Sequence, residues 1–574
     1  MMKSWIPLNP KQSASLAMGL FFTLAFLSFG GPSLIFNEGI YLLKSQQWAN
    51  PGFLATDWYA GPASGQVHGL LFSIAIVPLW KIGLDAIAIA LILRALETLL
   101  LAGVVLLILR HLQLPRTPAW LGLSLWVIAG QFGATGEWVI GGAEQKPFAY
   151  LSVLWGLYFA LQSRWMAMAM ALSLAVWLHI LVGGWSALIL FSVLLVQPGQ
   201  IAPRAYGRAA ALALLLVLPA VILSIQTLSQ NEATGLGPLP PYQSLGQLMT
   251  LFRFPHHLDP TLFLPPKVLI RVGLITLGTY LALVLLPISK SAKTLFLGFS
   301  TGTLVLFGLG VGAFIQGHYA FLQLYPFRIA DGFLPLFCYL FLPIALWVTL
   351  QYPLRRSLVQ SSLLCVGVLI SVGLLLAGVN DLPLRSILTL RPWAESLQLT
   401  PRNPKDQIMS WIRHNSPPES RFLVPPTWNN FLILAQRPAF VLTQAIPQNQ
   451  QAWDWLYRLR LANNAQPFKQ RGFAADQEVE ANFRQLSPAR LQCLAEQYQL
   501  QFYAVDRPRV DLQTQLVYQF GPYSLYNLQT LKINPSQSCD FQALSRTDLI
   551  PVPTLHVSAV QTVQTAPPLP YPPA

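Results

Sequence analysis

Eleven apolar runs of bilayer-crossing character can be drawn along this chain, and the basic residues between them alternate as a membrane protein requires. The runs lie near 13–36, 85–109, 118–134, 147–162, 165–181, 184–197, 209–228, 268–288, 294–314, 329–350 and 358–378. A hydrocarbon core of about 30 Å needs about 20 apolar residues in a helix, fewer when the segment is helped by its neighbours. With eleven crossings, Lys3, Lys11, Arg110, Arg116, Arg164, Arg204, Arg208, Lys290, Lys293, Arg355 and Arg356 all fall on one face. Cytoplasmic loops retain Lys and Arg, so that face and the N-terminus are expected inside. An odd number of crossings then places everything after about residue 380 outside the cytoplasm. The segment from His68 to Trp80 is apolar but short, and counting it as a span would move Arg110 and Arg116 outside. It reads as re-entrant or lying along the interface.

The expected fold is therefore an α-helical polytopic membrane protein of the plasma or inner membrane, with about eleven transmembrane helices and a small C-terminal extracytoplasmic α/β domain. Its divisions are a transmembrane part over 1–379, an outer α/β domain over 380–562 and a proline-rich, disordered tail over 563–574. Hydrophobic residues make up 54% of the chain and charged ones 10%, against roughly 25% charge in a soluble domain. The mean hydropathy of +0.49 agrees. A water-soluble fold of this length is excluded. Much of the net charge of +14 sits in short loops between apolar runs, where it serves topology and contact with membrane lipid, so no nucleic-acid partner is expected. Four cysteines without CxxC spacing exclude a metal framework of that kind. Cys338 and Cys365 lie in apolar runs, whereas Cys493 and Cys539 share the outer domain, where a disulfide between them stays open.

Local signals in the outer domain are specific. PKDQIMSWIRHN reads as a helix and RFLVPP as a short strand. QAWDWLYRLRLANN reads as a helix, and SPARLQCLAEQYQ as another with Ser487 as N-cap and Pro488 in its first turn. QFYAVD reads as the strand that follows. LVYQFGPYSLYNL has two strand-like halves around Gly521 and Pro522, a hairpin pattern.

The residues able to carry chemistry gather at the outer ends of the spans. Glu38 stands where the chain leaves the first span and Asp57 follows in the same loop; a partly desolvated carboxylate there is suited to proton transfer. TGEWVIGGAEQKPFAYL places Glu137, Glu144 and Lys146 in the next outer loop, where Lys146 could hold an anionic group, or pair with Glu144 as a snorkelling lysine. FRFPHHLDP brings Arg253, His256, His257 and Asp259 together in a later loop, a set better suited to phosphate than to metal. Arg328 enters a span, where an arginine costs about 2.5 to 3.5 kcal/mol and so needs a partner or an anionic ligand. Arg94 and Glu97 are spaced to pair on one helical face, and His179 reads as a core histidine near the outer surface.

The order of these features resembles the GT-C glycosyltransferase superfamily, which includes protein mannosyltransferases and lipid A aminoarabinose transferases, and related multispanning bacterial proteins with such a C-terminal domain. NEGIYLL (Asn37 to Leu43), TDWY (Thr56 to Tyr59), the HGLLF stretch from His68 and the GGAEQKPFAY loop carry the resemblance, over roughly the first 380 residues. It implies transfer of a sugar from a polyprenyl-phosphate carrier to an envelope acceptor at the outer leaflet. Glu38 and Asp57 would be the catalytic carboxylates, and Lys146, Arg253, His256, His257 and Arg328 would bind the carrier phosphate. No cofactor is expected, and nothing in the sequence supports a divalent metal. Glu38 matches the second acid of the family's acidic pair, but Asn37 stands at the first, and an amide cannot accept a proton as a base would. Two other readings therefore stay open, a non-catalytic envelope scaffold with the same fold and a transporter of lipid-linked solutes.

Overall fold

The computed structural model describes residues 9–35, 37–61, 69–196, 202–229, 237–351, 358–379 and 404–531. Lys3, His68, Arg355, Arg356, Cys539, both sequence-read domain boundaries and the proline-rich tail lie outside the described residues. A helix occupies each of the eleven apolar runs: Pro10–Phe29, Ala86–His111, Arg116–Ala129, Gln145–Leu161, Trp165–Leu178, Ile180–Leu195, Pro203–Ser229, Pro266–Leu285, Lys290–Ile315, Arg328–Gln351 and Leu358–Val379. Among the described residues, six helices are long and apolar enough to cross a membrane: those beginning at Pro10, Ala86, Pro203, Pro266, Lys290 and Arg328. Their outward faces carry large apolar side chains, among them Leu99, Leu215, Ile270 and Leu309, each more than half exposed. Lipid covers such faces favourably, and with several helices of this length and composition the chain is a multi-pass integral membrane protein.

Capping residues set the helix starts. Asn9 opens the first helix with a reciprocal cap in which Gln12 Oε1 accepts the Asn9 N–H at 3.1 Å. Asp85 accepts the Ala88 N–H at 2.8 Å, and Ser289 the Ala292 N–H at 3.2 Å; each satisfies a donor that the helix leaves orphaned. The first and third helices stop furthest short of the sequence reading. The first ends at Phe29 and not near residue 36, because Gly30, Gly31 and Pro32 cannot sustain it. The third ends at Ala129 and not near 134, where Gly130 takes φ +84°. The apolar segment after His68 forms the helix Leu70–Lys81, whose 12 residues span about 18 Å at 1.5 Å per residue, too little to cross.

The C-terminal part folds as helices around a four-stranded sheet of order β1-β2-β4-β3. β1 (Phe422–Leu423) pairs parallel with β2 (Phe502–Val505), which pairs antiparallel with β4 (Tyr523–Asn527); β3 (Leu516–Phe520) closes the hairpin on β4. The hairpin turn needs a glycine, and Gly521 sits at φ +56°. Helices Pro404–Asn415, Ala452–Ala462 and Pro488–Tyr498 lie where the sequence places them, and Ser487 caps the last through the Arg490 N–H. Phe473–Phe483 is an additional helix. Cys493 is disulfide-bonded, and Cys338 and Cys365 are free.

The sheet domain is fused to the loops at one end of the helix bundle. One apolar cluster joins Leu42, Tyr59, Phe72 and Ile89 to Ile408, Trp428, Phe431 and Leu525. A second joins Leu248, Met249 and Phe252 to Trp453, Trp455, Tyr503 and Tyr526. Gly39 lies so close to Asn430 that a Cβ there would collide with it. Burying side chains of this size stabilises by about 1.5–3 kcal/mol each, so loops and domain form one packed layer over the bundle.

Candidate functional site

Loop 130–144 is the centre of this layer, and its own Gln131 together with polar side chains from three distant segments fixes its path. Gln131 Oε1 accepts the N–H groups of Val139 and Ile140 at 2.8 and 3.0 Å, and its Nε2 donates to Ile140 O at 2.8 Å. Asp331, in the first turn of the Arg328 helix, accepts the N–H groups of Gly133, Ala134, Thr135 and Glu137 together with the Thr135 hydroxyl. Glu97 Oε2 accepts the Gly141 N–H at 2.8 Å. Glu38 Oε1 accepts the Ala143 N–H at 2.6 Å. With so many backbone donors satisfied, the loop is held rigid where it meets the charged residues below.

Glu38 is fully enclosed, and both its oxygens are occupied. Arg94 grips it with two nitrogens, Nε reaching Oε1 at 2.7 Å and NH2 reaching Oε2, while Oε2 also accepts the Ile35 N–H at 2.8 Å. Arg94 further donates to the carbonyls of Phe29, Gly31 and Ser33. The sequence pairing of Arg94 with Glu97 is thus corrected. The chain turns back after the short first helix and delivers Glu38 to Arg94, whose bidentate fork fits a carboxylate from across the fold better than one on its own helix. Asp57 is likewise enclosed. Its Oδ1 accepts the N–H groups of Tyr59 and Ala60 at 3.0 and 2.7 Å, and its Oδ2 accepts the Ala439 N–H at 3.0 Å, tying the first outer loop to the C-terminal domain. Burial raises the Asp57 carboxyl above its ordinary range, opposed by those three N–H groups.

The cations converge around a different carboxylate. Glu137 Oε1 lies 2.8 Å from Lys146 Nζ and Glu137 Oε2 2.9 Å from Arg328 Nε. Lys146 therefore has Glu137 as its near partner and Glu144 only at 4.0 Å, a correction to the reading that paired it with Glu144. Its ammonium also sits 3.5 Å from the Trp138 ring centroid, and the Arg328 guanidinium 4.1 Å from that of Tyr325. His179 caps the helix it precedes, with Nδ1 accepting the Val182 N–H at 3.4 Å, and its Nε2 lies 3.3 Å from Arg328 NH1. Burial pushes the Glu144 carboxyl up to about 7, with Lys146 and the Asn37 N–H opposing and Glu38 and Glu137 adding to it.

The Arg253 loop borders this cluster. Arg253 NH1 stands 3.6 Å from Asp476 Oδ1, and the His256 ring stacks on Phe473 at 4.3 Å, so both face the C-terminal domain. His257 looks inward, where Arg328, Lys146 and Arg253 all act on it. Burial first, then those cations, holds its imidazole well below its ordinary range and therefore neutral at pH 7. Burial, His257 and Arg253 do the same to His256. Asp259 turns away from the histidines to the Thr261 N–H at 2.9 Å and Arg471 at 2.7 Å. Among the described residues no three His, Cys, Asp or Glu side chains group as a metal set.

Of the sequence-read residues, Glu38, Lys146, Arg328 and His257 thus surround one loop, Arg253 and His256 flank it at the domain junction, and Asp57 serves the junction itself. Asp331 and Gln131 escaped the sequence reading. The signal for Asp331 was an aspartate one turn into an apolar span, which needs dedicated donors to be tolerated.

A domain family described as Domain of unknown function (DUF6798) matches residues 405–462. No curated protein matches the chain. Among solved structures the chain is similar to the oligosaccharyltransferase of Archaeoglobus fulgidus tethered to an acceptor peptide containing the NVT sequon, with 13% identity and a TM-score of 0.46 over 88% of this chain and 70% of that one. It is also similar to ArnT from Cupriavidus metallidurans bound to undecaprenyl phosphate, with 12% identity and a TM-score of 0.38 over 91% of this chain and 99% of that one.

Proposed function

We propose that this chain is a membrane glycosyltransferase of GT-C type that takes a sugar from a polyprenyl-phosphate carrier and gives it to an envelope acceptor at the outer leaflet. The observation that carries the reading is the sharing of one carboxylate, Glu137, by two cations, the buried Lys146 and the largely enclosed Arg328. The next carboxylate, Glu144, stands 4.0 Å from Lys146, so the two cations have one carboxylate in close contact between them. The group then holds positive charge that a phosphate would balance, at a place where charge-assisted bonds are strong. Neutral His257 offers a further polar contact, and Arg253 and His256 flank the approach. Glu38 and Asp57, with their oxygens taken by Arg94 and by backbone N–H groups, shape the site in this reading.

Binding of undecaprenyl phosphate to the purified chain in lipid nanodiscs tests the proposal. Wild type is expected to prefer it to the uncharged undecaprenol. Lys146→Ala and Arg328→Ala are each expected to weaken binding by about 10- to 100-fold, the equivalent of about 1.5–3 kcal/mol for a hydrogen bond to a charged group. Equal affinity of wild type for the phosphate and the alcohol would reject the reading in favour of a scaffold.

The proposal needs the Glu137 loop and the C-terminal domain outside the cytoplasm. The basic clusters support this, and the bonded Cys493 fits an oxidising compartment. A cysteine introduced at Gln470 is expected to react with an impermeant thiol reagent in intact cells, and one at Ser291 only after lysis. The reverse pattern would invert the topology.

A further inference from the structure

Loop 130–144 ends in a carboxylate that keeps one oxygen free. Glu144 Oε1 accepts the Asn37 N–H at 3.2 Å, whereas Oε2 is buried and makes no hydrogen bond, with Lys146 Nζ at 4.0 Å. The neighbouring acids are engaged more closely: Glu38 by Arg94, Ile35 and Ala143, Asp57 by three N–H groups, Glu137 by ion pairs with Lys146 at 2.8 Å and Arg328 at 2.9 Å although its Oε1 makes no hydrogen bond, and Asp331 by loop donors. Glu97 also keeps Oε1 unpartnered, but it lies halfway along the Ala86–His111 helix. Glu144 instead stands at the N-cap position of the helix whose first turn carries Lys146, without a capping hydrogen bond from its side chain, beside the cations assigned to the carrier phosphate.

We propose that Glu144 Oε2 is the proton acceptor in sugar transfer, held in place by the backbone of Asn37, whose own amide side chain cannot take a proton. This rests on the carrier-phosphate reading above. The acceptor hydroxyl gives its proton to Glu144 Oε2 while its oxygen bonds the anomeric carbon. The bond from that carbon to the phosphate oxygen breaks, and its electron pair stays on the carrier phosphate beside Lys146 and Arg328. One C–O bond forms, one breaks and one proton moves, so no further reactant is needed. A carboxyl pushed up to about 7 by burial is matched to this task near neutral pH. Lys146, Glu38, Glu137, Glu97 and the Tyr41 hydroxyl are charged or titratable groups that face it.

The test combines undecaprenyl phosphate binding with transfer from undecaprenyl-phosphate-linked glucose, galactose, mannose and N-acetylglucosamine, using the full chain in nanodiscs. Glu144→Gln is expected to bind the lipid phosphate within about threefold of wild type and to lose about 10² to 10⁴ in rate, the usual loss for a general base. Glu144→Asp is expected to recover part of it. The wild-type rate is expected to rise as pH passes through about 7, where the carboxyl loses its proton, and the residual Glu144→Gln rate to lack that step. Wild-type turnover by Glu144→Gln, or a loss of binding as large as the loss of rate, overturns the assignment and leaves the carrier site standing. Binding without transfer from any donor by wild type does the same. Absence of phosphate-dependent binding in wild type removes the carrier site and this assignment with it.

Discussion

Arg94→Met is expected to destabilise the protein by about 3–5 kcal/mol, the usual cost of removing one partner from a buried ion pair. Arg94 is 2% exposed and Glu38 0%, so the abandoned carboxylate has no water to turn to. It would keep the Ile35 and Ala143 N–H groups at 2.8 and 2.6 Å, which soften the loss without supplying a countercharge. The carbonyls of Phe29, Gly31 and Ser33 would lose their donor as well, freeing the turn that returns the chain from the first helix. Thermal unfolding followed by tryptophan fluorescence in detergent reads the effect. Arg94→Met combined with Glu38→Met is expected to recover much of it, since an apolar pair of similar volume often replaces a buried ion pair without net cost. A single mutant within about 0.5 kcal/mol of wild type, the range of an ordinary surface substitution, would deny Arg94 this role.

The same pair marks where sequence reading succeeds and where it stops. Apolar runs, glycine stops and caps act within a few residues, so each of the eleven runs is helical and Ser487 and Gly521 do the local jobs their neighbours imply. Boundaries shifted where Gly30 and Gly130 ended helices inside apolar sequence. Partner choice among charged residues is a different matter. Arg94 had a carboxylate one turn away on its own helix, yet Glu38 takes it, and Lys146 takes Glu137 over the nearer-in-sequence Glu144. Those choices depend on how loops from separate spans stack, which no local pattern encodes. The sequence did locate the loops whose charged residues form the candidate site. It read Glu38 and Asp57 as partly desolvated and suited to proton transfer, whereas the fold engages their oxygens and leaves the buried Glu144 Oε2 without a hydrogen bond.

Asp331→Ala is expected to cost about 3–5 kcal/mol and also to abolish selective binding of undecaprenyl phosphate. Asp331 accepts four backbone N–H groups and one hydroxyl from the loop: Gly133 at 2.9 Å, Thr135 N and Oγ1 at 3.0 and 2.8 Å, Glu137 at 3.0 Å, and Ala134. Each such bond to a charged acceptor contributes about 1.5–3 kcal/mol, and orphaned buried donors cost a comparable amount, though the sum is not additive. The functional loss follows from position. The Glu137 N–H is one of the five donors, and the Glu137 side chain sets both Lys146 and Arg328, so a released loop disperses the cations that would meet a phosphate. Asp331→Asn distinguishes positioning from bulk stability. Its amide keeps one oxygen for two or three of the donors and turns an NH2 toward the rest, so an intermediate stability is expected together with a clear loss of phosphate selectivity. Undiminished preference for undecaprenyl phosphate over undecaprenol in folded Asp331→Asn would separate the Asp331 hydrogen bonds from the site, and Arg328 would then be placed by His179 and Tyr325 without them.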